Sequence, residues 1–429
     1  MQSPQNPLLF AAVDHRHNRG RVFGILPNDL ARHVYVIGKT GVGKTALLEH
    51  LLVAEIRAGR GVGLLDPHGD LADRVLDLIP RHRTNDVVLF DPSDTERPIG
   101  MNLLEHGEPN ARPLVVSGIL SVFRKVFAEF WGPRLENVFR NCLFALFEIR
   151  GSTLLGVMRM LGDEKYRARV VALVRDPVVR FYWTREFAAY PKAFLAEVVS
   201  PVQNKVAAVL TNPILRNIVG QHTSSFSCSD VMNQGQIFIG SLSKGKIGEE
   251  ASALLGSALV TRFQLAAYGR ASQSTQDRRP FSLYIDEFGS FTTPSFGELL
   301  SEARKYKFAL VLAHQHLGQL DDALRRAVMG NAGTIVAFQV GAEDAEILER
   351  EYAPELTAED LTRLAPHQIA IRLGVDGSMS RPFTAVTLPP TTNDNFIAHD
   401  HLVRRTSADR YGRTRQNVEK RLAEQLPPT

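Results

Sequence analysis

Short apolar runs alternate with helix-spaced segments along most of this chain. His33 to Ile37 is β-branched and apolar and predicts a short buried strand. Ala46 to Ala58 follows with helical spacing, Leu47, Leu48, Leu51, Leu52 and Ile56 falling on one side. Gly61 to Leu65 and Asp86 to Phe90 predict two more buried strands, with a short helix over Leu71 to Ile79 between them. The strand signal resumes at Gln236–Gly240, Phe281–Ile285, Phe308–Ala313, Thr334–Val340, Gln368–Leu373 and Phe383–Leu388, and Glu249–Tyr268 reads as a long helix. Strands alternating with helices predict an α/β fold, a mostly parallel twisted sheet with helices on both faces.

The pattern changes between Glu105 and Cys228, where no strand is evident. Pro113–Arg150, Leu154–Leu161, Tyr166–Val174, Pro177–Phe187 and Lys192–Leu210 all carry helical spacing, punctuated by Pro177, Pro191, Pro201 and Pro213. The expected organisation is therefore a lead-in over 1–31, with one strand near Val22–Leu26, and an α/β domain over 32–104 and 229–390. An all-α domain is inserted over 105–228, and a basic tail with one helical stretch runs over 391–429.

Charge follows the same division. The formal net charge of the 429 residues is +4, yet Glu105–Cys228 holds sixteen Lys or Arg against ten Asp or Glu, a net +6. Aromatic residues are interleaved there: Phe130, Trp131, Phe181, Tyr182, Trp183, Phe187 and Tyr190. A chain that is 44% hydrophobic and 22% charged is an ordinary globular composition. No stretch approaches eighteen uncharged apolar residues and no leader-like segment opens the chain, so neither a transmembrane helix nor a signal peptide is predicted. Cys142 and Cys228 are the only cysteines, which excludes a disulfide framework or a zinc site and fits a reducing cytoplasm.

The chemistry sits where strands end. Gly38-Lys-Thr-Gly-Val-Gly-Lys-Thr45 matches G-x-x-x-x-G-K-[ST], and it has the strand before it and the helix after it that a phosphate-binding loop requires. Gly38, Gly41 and Gly43 let the backbone of Gly38–Ala46 (with Lys39, Thr40 and Val42 between the glycines) turn its N–H groups towards an anion. The helix N-terminus adds its positive end. Lys44 can reach the β- and γ-phosphates of ATP, and the Thr45 hydroxyl can hold Mg²⁺. Ser282-Leu-Tyr-Ile-Asp-Glu-Phe288 is an apolar strand closing on two carboxylates. Asp286 would bind Mg²⁺ through its water shell, and Glu287 would polarise the attacking water as general base. Gln315, after the next strand, is a candidate reporter on the γ-phosphate or that water. Asp66, in Asp66-Pro-His-Gly-Asp70, is either a further member of the Mg²⁺ shell or a plain strand-end turn. His314 and His316 read as turn residues. Arg304, seventeen residues after Glu287 at the end of a helix feeding the next strand, can face an adjacent subunit.

Together these pieces resemble the conjugative type IV coupling proteins (TraG/TraD-like) and their relatives, the HerA/FtsK-type DNA-pumping ATPases. The resemblance rests on the Gly38–Thr45 loop, Leu65-Asp-Pro-His-Gly-Asp-Leu71, Tyr284-Ile-Asp-Glu-Phe288, Ala303-Arg-Lys-Tyr306, Ala313-His-Gln315 and Asn331-Ala-Gly-Thr-Ile-Val336, and spans about residues 20 to 390. It implies a RecA-like P-loop NTPase motor interrupted by the all-α domain, a homo-hexameric ring, and ATP-driven, Mg²⁺-dependent movement of DNA. It also implies Arg304 as a finger acting in trans, and secretion-channel or relaxase-type proteins as partners. Arg32 is a weaker candidate for a phosphate contact. The chain departs from the family pattern at its start: coupling proteins usually carry N-terminal membrane helices, and here the loop begins at residue 38. The expectation is a cytoplasmic motor, held at the inner face of a membrane through a partner. Two other readings compete with DNA translocation. One is a secretion ATPase that handles protein without DNA in its pore. The other is a nucleotide-switched scaffold, which Glu287 disfavours because a switch needs no strong base. The +6 helical segment favours DNA, since phosphate neutralisation is what non-specific DNA binding requires.

Overall fold

The protein is described here from a computed structural model, which covers residues 6–14, 19–105, 111–391 and 400–425. Residues 1–5, read above for a leader, and 392–399 and 426–429 of the tail lie outside the described residues.

Along the chain come β1 (Leu8–Val13), β2 (Val22–Ile25), α1 (Pro27–Leu30), β3 (Val34–Ile37), α2 (Lys44–Arg57), β4 (Gly61–Asp66), α3 (Asp70–Leu78) and β5 (Val87–Phe90). Helices α4 (Arg112–Val126), α5 (Pro133–Leu146), α6 (Leu154–Gly162), α7 (Glu164–Leu173), α8 (Pro177–Phe181), α9 (Lys192–Thr211), α10 (Pro213–Val219) and α11 (Cys228–Gln234) follow. Then come β6 (Ile237–Ser241), α12 (Lys244–Ile247), α13 (Glu249–Gly269), β7 (Phe281–Ile285), α14 (Phe296–Glu302), β8 (Phe308–His314), α15 (Asp322–Asn331) and β9 (Thr334–Ala337). The chain closes with α16 (Ala342–Tyr352), α17 (Ala358–Thr362), β10 (Gln368–Arg372), a ribbon of β11 (Gly374–Val375) and β12 (Ser378–Met379), β13 (Phe383–Thr387), α18 (Asp400–Tyr411) and α19 (Arg415–Gln425).

These elements form two compact units: residues 1–90, 228–242 and 266–406 in one, and 91–227, 243–265 and 407–429 in the other. The first is built on an eleven-stranded sheet in the order β2-β1-β13-β10-β9-β3-β8-β7-β4-β6-β5. From β9 to β5 every pairing is parallel. β10, β13, β1 and β2 extend it by antiparallel pairing. The parallel strands are buried on both faces, which is why they read as near-continuous apolar runs such as Phe281–Ile285, interrupted by Ser282, and Phe308–Ala313. Leu47, Leu48, Leu51, Leu52 and Ile56 of α2 are all buried in the core with Val36, Leu64 and Val311. Truncating such a leucine to alanine typically costs about 2–5 kcal/mol.

Residues 1–31 prove to be more than a lead-in. β1 pairs with both β2 and β13, so this segment completes one side of the sheet. His314 is the last residue of β8 and fully buried, not a turn residue.

The second unit is helical. The helix expected over Pro113–Arg150 is broken between α4 and α5, where Gly132 is extended and Pro133 opens the new helix. Thr153, Asp163, Asp176 and Asn212 cap α6, α7, α8 and α10 with their side chains. Phe123 packs edge-on against Phe139. Trp183 is buried and donates to the Asn141 carbonyl at 3.3 Å. Among the described residues, α9 is the one helix long and apolar enough to cross a membrane, with mean hydropathy 1.2. It packs against α5, α6 and α10 and buries Val198, Val202, Val206 and Val209. The tail contains two helices where one was expected. Val418 and Leu422 of α19 are buried.

Candidate functional site

Strand order fixes the site. β3, β8, β7 and β4 are parallel neighbours, so their carboxyl ends share one edge of the sheet. Gly38, Gln315, Asp286 and Asp66 stand at that edge, where ligands of open parallel sheets bind.

The loop after β3 is held open by local geometry. Gly41 and Gly43 have φ of 80° and 116°, conformations that a residue with a Cβ adopts only under strain. A Cβ on Gly43 would also meet His367 Nδ1 at 2.8 Å. The helix that follows, α2, has no side-chain cap and no acidic residue in its first turn. Its first N–H groups and its positive end are therefore directed at the loop rather than neutralised by the chain. Lys44 is buried and donates to the Gly38 and Lys39 carbonyls at 2.6 and 2.9 Å. Burial pushes its ammonium pKa down, and the Glu287 and Asp286 carboxylates oppose that shift. Thr45 stands in the first turn of α2 and Ala46 follows it.

Asp286 and Glu287 follow β7. Burial, with Asp66 and Glu287 alongside, pushes the Asp286 carboxyl up to about 6. Glu287 is buried and left-handed, with φ 47° and ψ 48°. A non-glycine residue held there costs about 1–2 kcal/mol, and such strain concentrates at functional sites. The Gln315 amide nitrogen donates to Glu287 Oε1 at 2.8 Å, while its oxygen accepts from the Thr40 hydroxyl at 2.9 Å. One side chain thus joins the phosphate loop to the carboxylate at the end of β7.

Asp66 is fully buried and each of its oxygens already accepts a backbone N–H, His68 at 2.8 Å and Ala72 at 3.0 Å. It therefore ties the strand end to the first turn of α3. Among the described residues no three His, Cys, Asp or Glu side chains converge as metal ligands. Mg²⁺ does not require that, because it takes one or two protein ligands and fills the rest with water and phosphate oxygens. Thr45 and Asp286 fit such a set.

Two arginines lie elsewhere. Arg32 precedes β3, at the amino end of the strand, and donates to the Gly377 carbonyl in the β11–β12 turn. It is spent on that turn, away from the phosphate loop. Arg304 lies in the Ala303–Tyr306 turn before β8, also at the amino ends of the strands, and is exposed. Within one chain it is at the opposite edge from Lys44.

His33 was not singled out in the sequence, where a lone histidine before a strand carries no signal. It is buried with φ 69°; its Nε2 donates to the Leu300 carbonyl and its Nδ1 accepts from the Leu310 N–H, both at 3.0 Å. Burial pushes its pKa down to about 4, with the nearby Arg304 charge adding to the shift. His33 thus ties the start of β3 to α14, which leads into the Arg304 turn, and to β8.

The sheet, the phosphate loop on its central β3 and the carboxylates ending β7 define a RecA-like P-loop NTPase fold. Residues 20–360 match the family model described as the type IV secretion-system coupling protein DNA-binding domain. The chain belongs to that family. Among solved structures it is similar to the bacterial conjugative coupling protein TrwB lacking its N-terminal segment, in a trigonal form with sulphate (TM-score 0.65, 17% identity, 88% of this chain and 90% of that one). The plasmid coupling protein TrwB in complex with ADP and Mg²⁺ gives TM-score 0.64 at 16% identity, with 89% of each chain covered. VirB4 of Thermoanaerobacter pseudethanolicus gives 0.56 at 12% identity, covering 91% of this chain and 98% of that one. At these identities the likeness is one of fold. No curated protein sequence matches the chain.

Proposed function

We propose that this protein is an ATP-hydrolysing, Mg²⁺-dependent motor that moves DNA as a homo-hexameric ring at the cytoplasmic face of a secretion channel. The observation that carries the reading is the Thr40–Gln315–Glu287 chain of hydrogen bonds, which couples the phosphate loop to a buried, strained carboxylate. Residues Gly38 to Ala46 cradle the phosphates, and Lys44 exchanges its two carbonyl partners for β- and γ-phosphate oxygens. Thr45 and Asp286 hold the magnesium, and Asp66 adds its charge to that shell while anchoring α3. Glu287 takes the proton of the attacking water, and Gln315 senses whether the γ-phosphate is present. Arg304, at the far edge of the sheet, reaches the phosphates of a neighbouring subunit. TrwB, a conjugative coupling protein of this fold, is known bound to ADP and Mg²⁺, which supports the choice of nucleotide and metal.

DNA is the favoured cargo because the family is that of a DNA-binding domain and Glu105–Cys228 carries the +6 charge. Part of that charge is already committed. Arg124 pairs with Glu136, and Arg167 donates to the Met160 carbonyl at 2.9 Å and lies over Phe187. Lys165 is exposed, and Arg169, which lies over the Tyr166 ring, is exposed too, so both can reach phosphates. The test is ATP turnover by wild type and Lys165→Glu/Arg169→Glu, with and without single- and double-stranded DNA, across a salt series. The proposal expects DNA to stimulate turnover, the effect to fade with salt, and the double variant to lose stimulation while keeping basal turnover. Turnover indifferent to either DNA would favour the protein-handling alternative.

A further inference from the structure

The helical unit contains a cavity of about 490 Å³ between the end of α10 and the α18–α19 segment. Arg413 and Arg421 line it, with His222, Thr414 and Asn417, and among the described residues its walls carry no Asp or Glu. The walls are fixed. Gln425 donates to the Gly220 carbonyl at 2.9 Å and accepts from the Thr153 hydroxyl at 3.0 Å, which holds α19 to the end of α10 and the start of α6. Arg413 donates to the Thr223 hydroxyl at 2.8 Å. His222 donates through Nδ1 to the Gly151 carbonyl at 2.6 Å, which leaves Nε2 as its remaining polar atom. Among the described residues Arg421 has no ion pair or side-chain hydrogen bond. The cavity has the size of a small-molecule site rather than of a chloride or a single carboxylate.

We propose that this cavity is a second anion site, in which Arg413 and Arg421 together take a phosphate-bearing ligand. Two guanidinium groups facing one cavity repel each other, and a dianionic group relieves that repulsion in a way no residue of the wall does. Burial and the Arg421 charge push the Arg413 pKa down, with only Glu105 opposing. Guanidinium forks match phosphate oxygens in geometry as well as charge. The site is independent of the nucleotide-hydrolysing edge and does not rest on that reading.

The same chemistry is offered by a free nucleotide and by a nucleic-acid backbone, so the experiment separates them. Pyrophosphate is titrated calorimetrically into full-length Lys44→Ala protein, in which the first phosphate site is disabled, and into the same protein carrying Arg421→Gln or Arg413→Gln. The expected result is pyrophosphate binding that weakens about tenfold or more with Arg421→Gln, the loss of one charge-assisted contact. Arg421 is exposed and without a partner among the described residues, so this variant keeps its thermal midpoint even if Arg413→Gln does not. Displacement of pyrophosphate by ADP alone identifies a free nucleotide as the ligand. Displacement by a single-stranded oligonucleotide, with a salt slope shallower by about one in Arg421→Gln, identifies the DNA backbone. Absence of pyrophosphate binding, or an affinity unchanged in both arginine variants, overturns the proposal.

Discussion

The two ends of the parallel sheet put several of their buried polar groups to different uses. At the amino ends three buried groups are well paired, although Thr84 Oγ1 and Arg270 Nη2 are buried without a partner among the described residues. Glu55 accepts from the Ser282 and Tyr284 hydroxyls at 3.1 and 2.8 Å. Arg83 spends its guanidinium on Asp86 and on the Ile56, Arg60 and Gly235 carbonyls, and both nitrogens of His33 are used. At the carboxyl ends the balance is unfavourable. Lys44 falls back on its own loop, burial forces Asp286 up to about 6, Glu287 is left-handed, and His314 Nδ1 is buried without a partner among the described residues. The difference separates polar groups that build the sheet from polar groups held ready for something the chain does not supply. Removing the former should cost stability, and removing the latter should cost chemistry.

Arg304 challenges this division most, because it sits at the amino edge yet is exposed. If it acts in trans, Arg304→Ala should lower ATP turnover by about 10³–10⁵, the range of arginine fingers, with little change in thermal midpoint. Mixing Arg304→Ala with Lys44→Ala subunits should restore part of the activity, since each mixed interface joins an intact loop to an intact arginine. Mixed rings that stay inactive at every ratio would remove the trans role.

Glu55 should behave the other way. Glu55→Ala leaves two buried hydroxyls without an acceptor and should destabilise the protein by about 3 kcal/mol. Nucleotide affinity at temperatures below the transition should be unchanged. A loss of affinity without loss of stability would blur the two ends.

His33 gives a comparable effect only in acid. Its folded pKa of about 4 lies below the ordinary 6.5, so the unfolded chain takes up the proton first as pH falls. The stabilisation is therefore complete above 6.5 and is lost between 6.5 and about 4, by up to about 3 kcal/mol. His33→Asn tolerates the positive φ and does not titrate, so it should flatten the fall of denaturation free energy with pH. His314, held down to about 3 by burial, should leave a residual slope in the same direction.

Much of this site was legible in the sequence because its parts are local. A glycine loop between an apolar strand and a helix, and two acids closing another apolar run, are readable within a dozen residues each. Asp66 shows the limit: a strand-end acid is visible, but its two backbone partners appear only once Ala72 folds back as the first turn of α3. β1 was missed because its faces do not alternate cleanly and one of its two partners, β13, lies more than 370 positions away. The break before Pro133 was hidden by apolar periodicity on both sides. His33 was illegible because its role depends on Leu300 and Leu310, which nothing near it in the chain announces.

The central claim is that the carboxyl edge binds nucleotide with one set of residues and cleaves it with another. The direct measurement is nucleotide affinity and single-turnover ATP cleavage, side by side, for Lys44→Ala and Glu287→Gln. Lys44→Ala should lose affinity. Glu287→Gln should retain it while cleavage falls by about 10²–10⁴, the contribution of a general base. Near-normal cleavage by Glu287→Gln, or equal loss of affinity in both variants, would contradict the account.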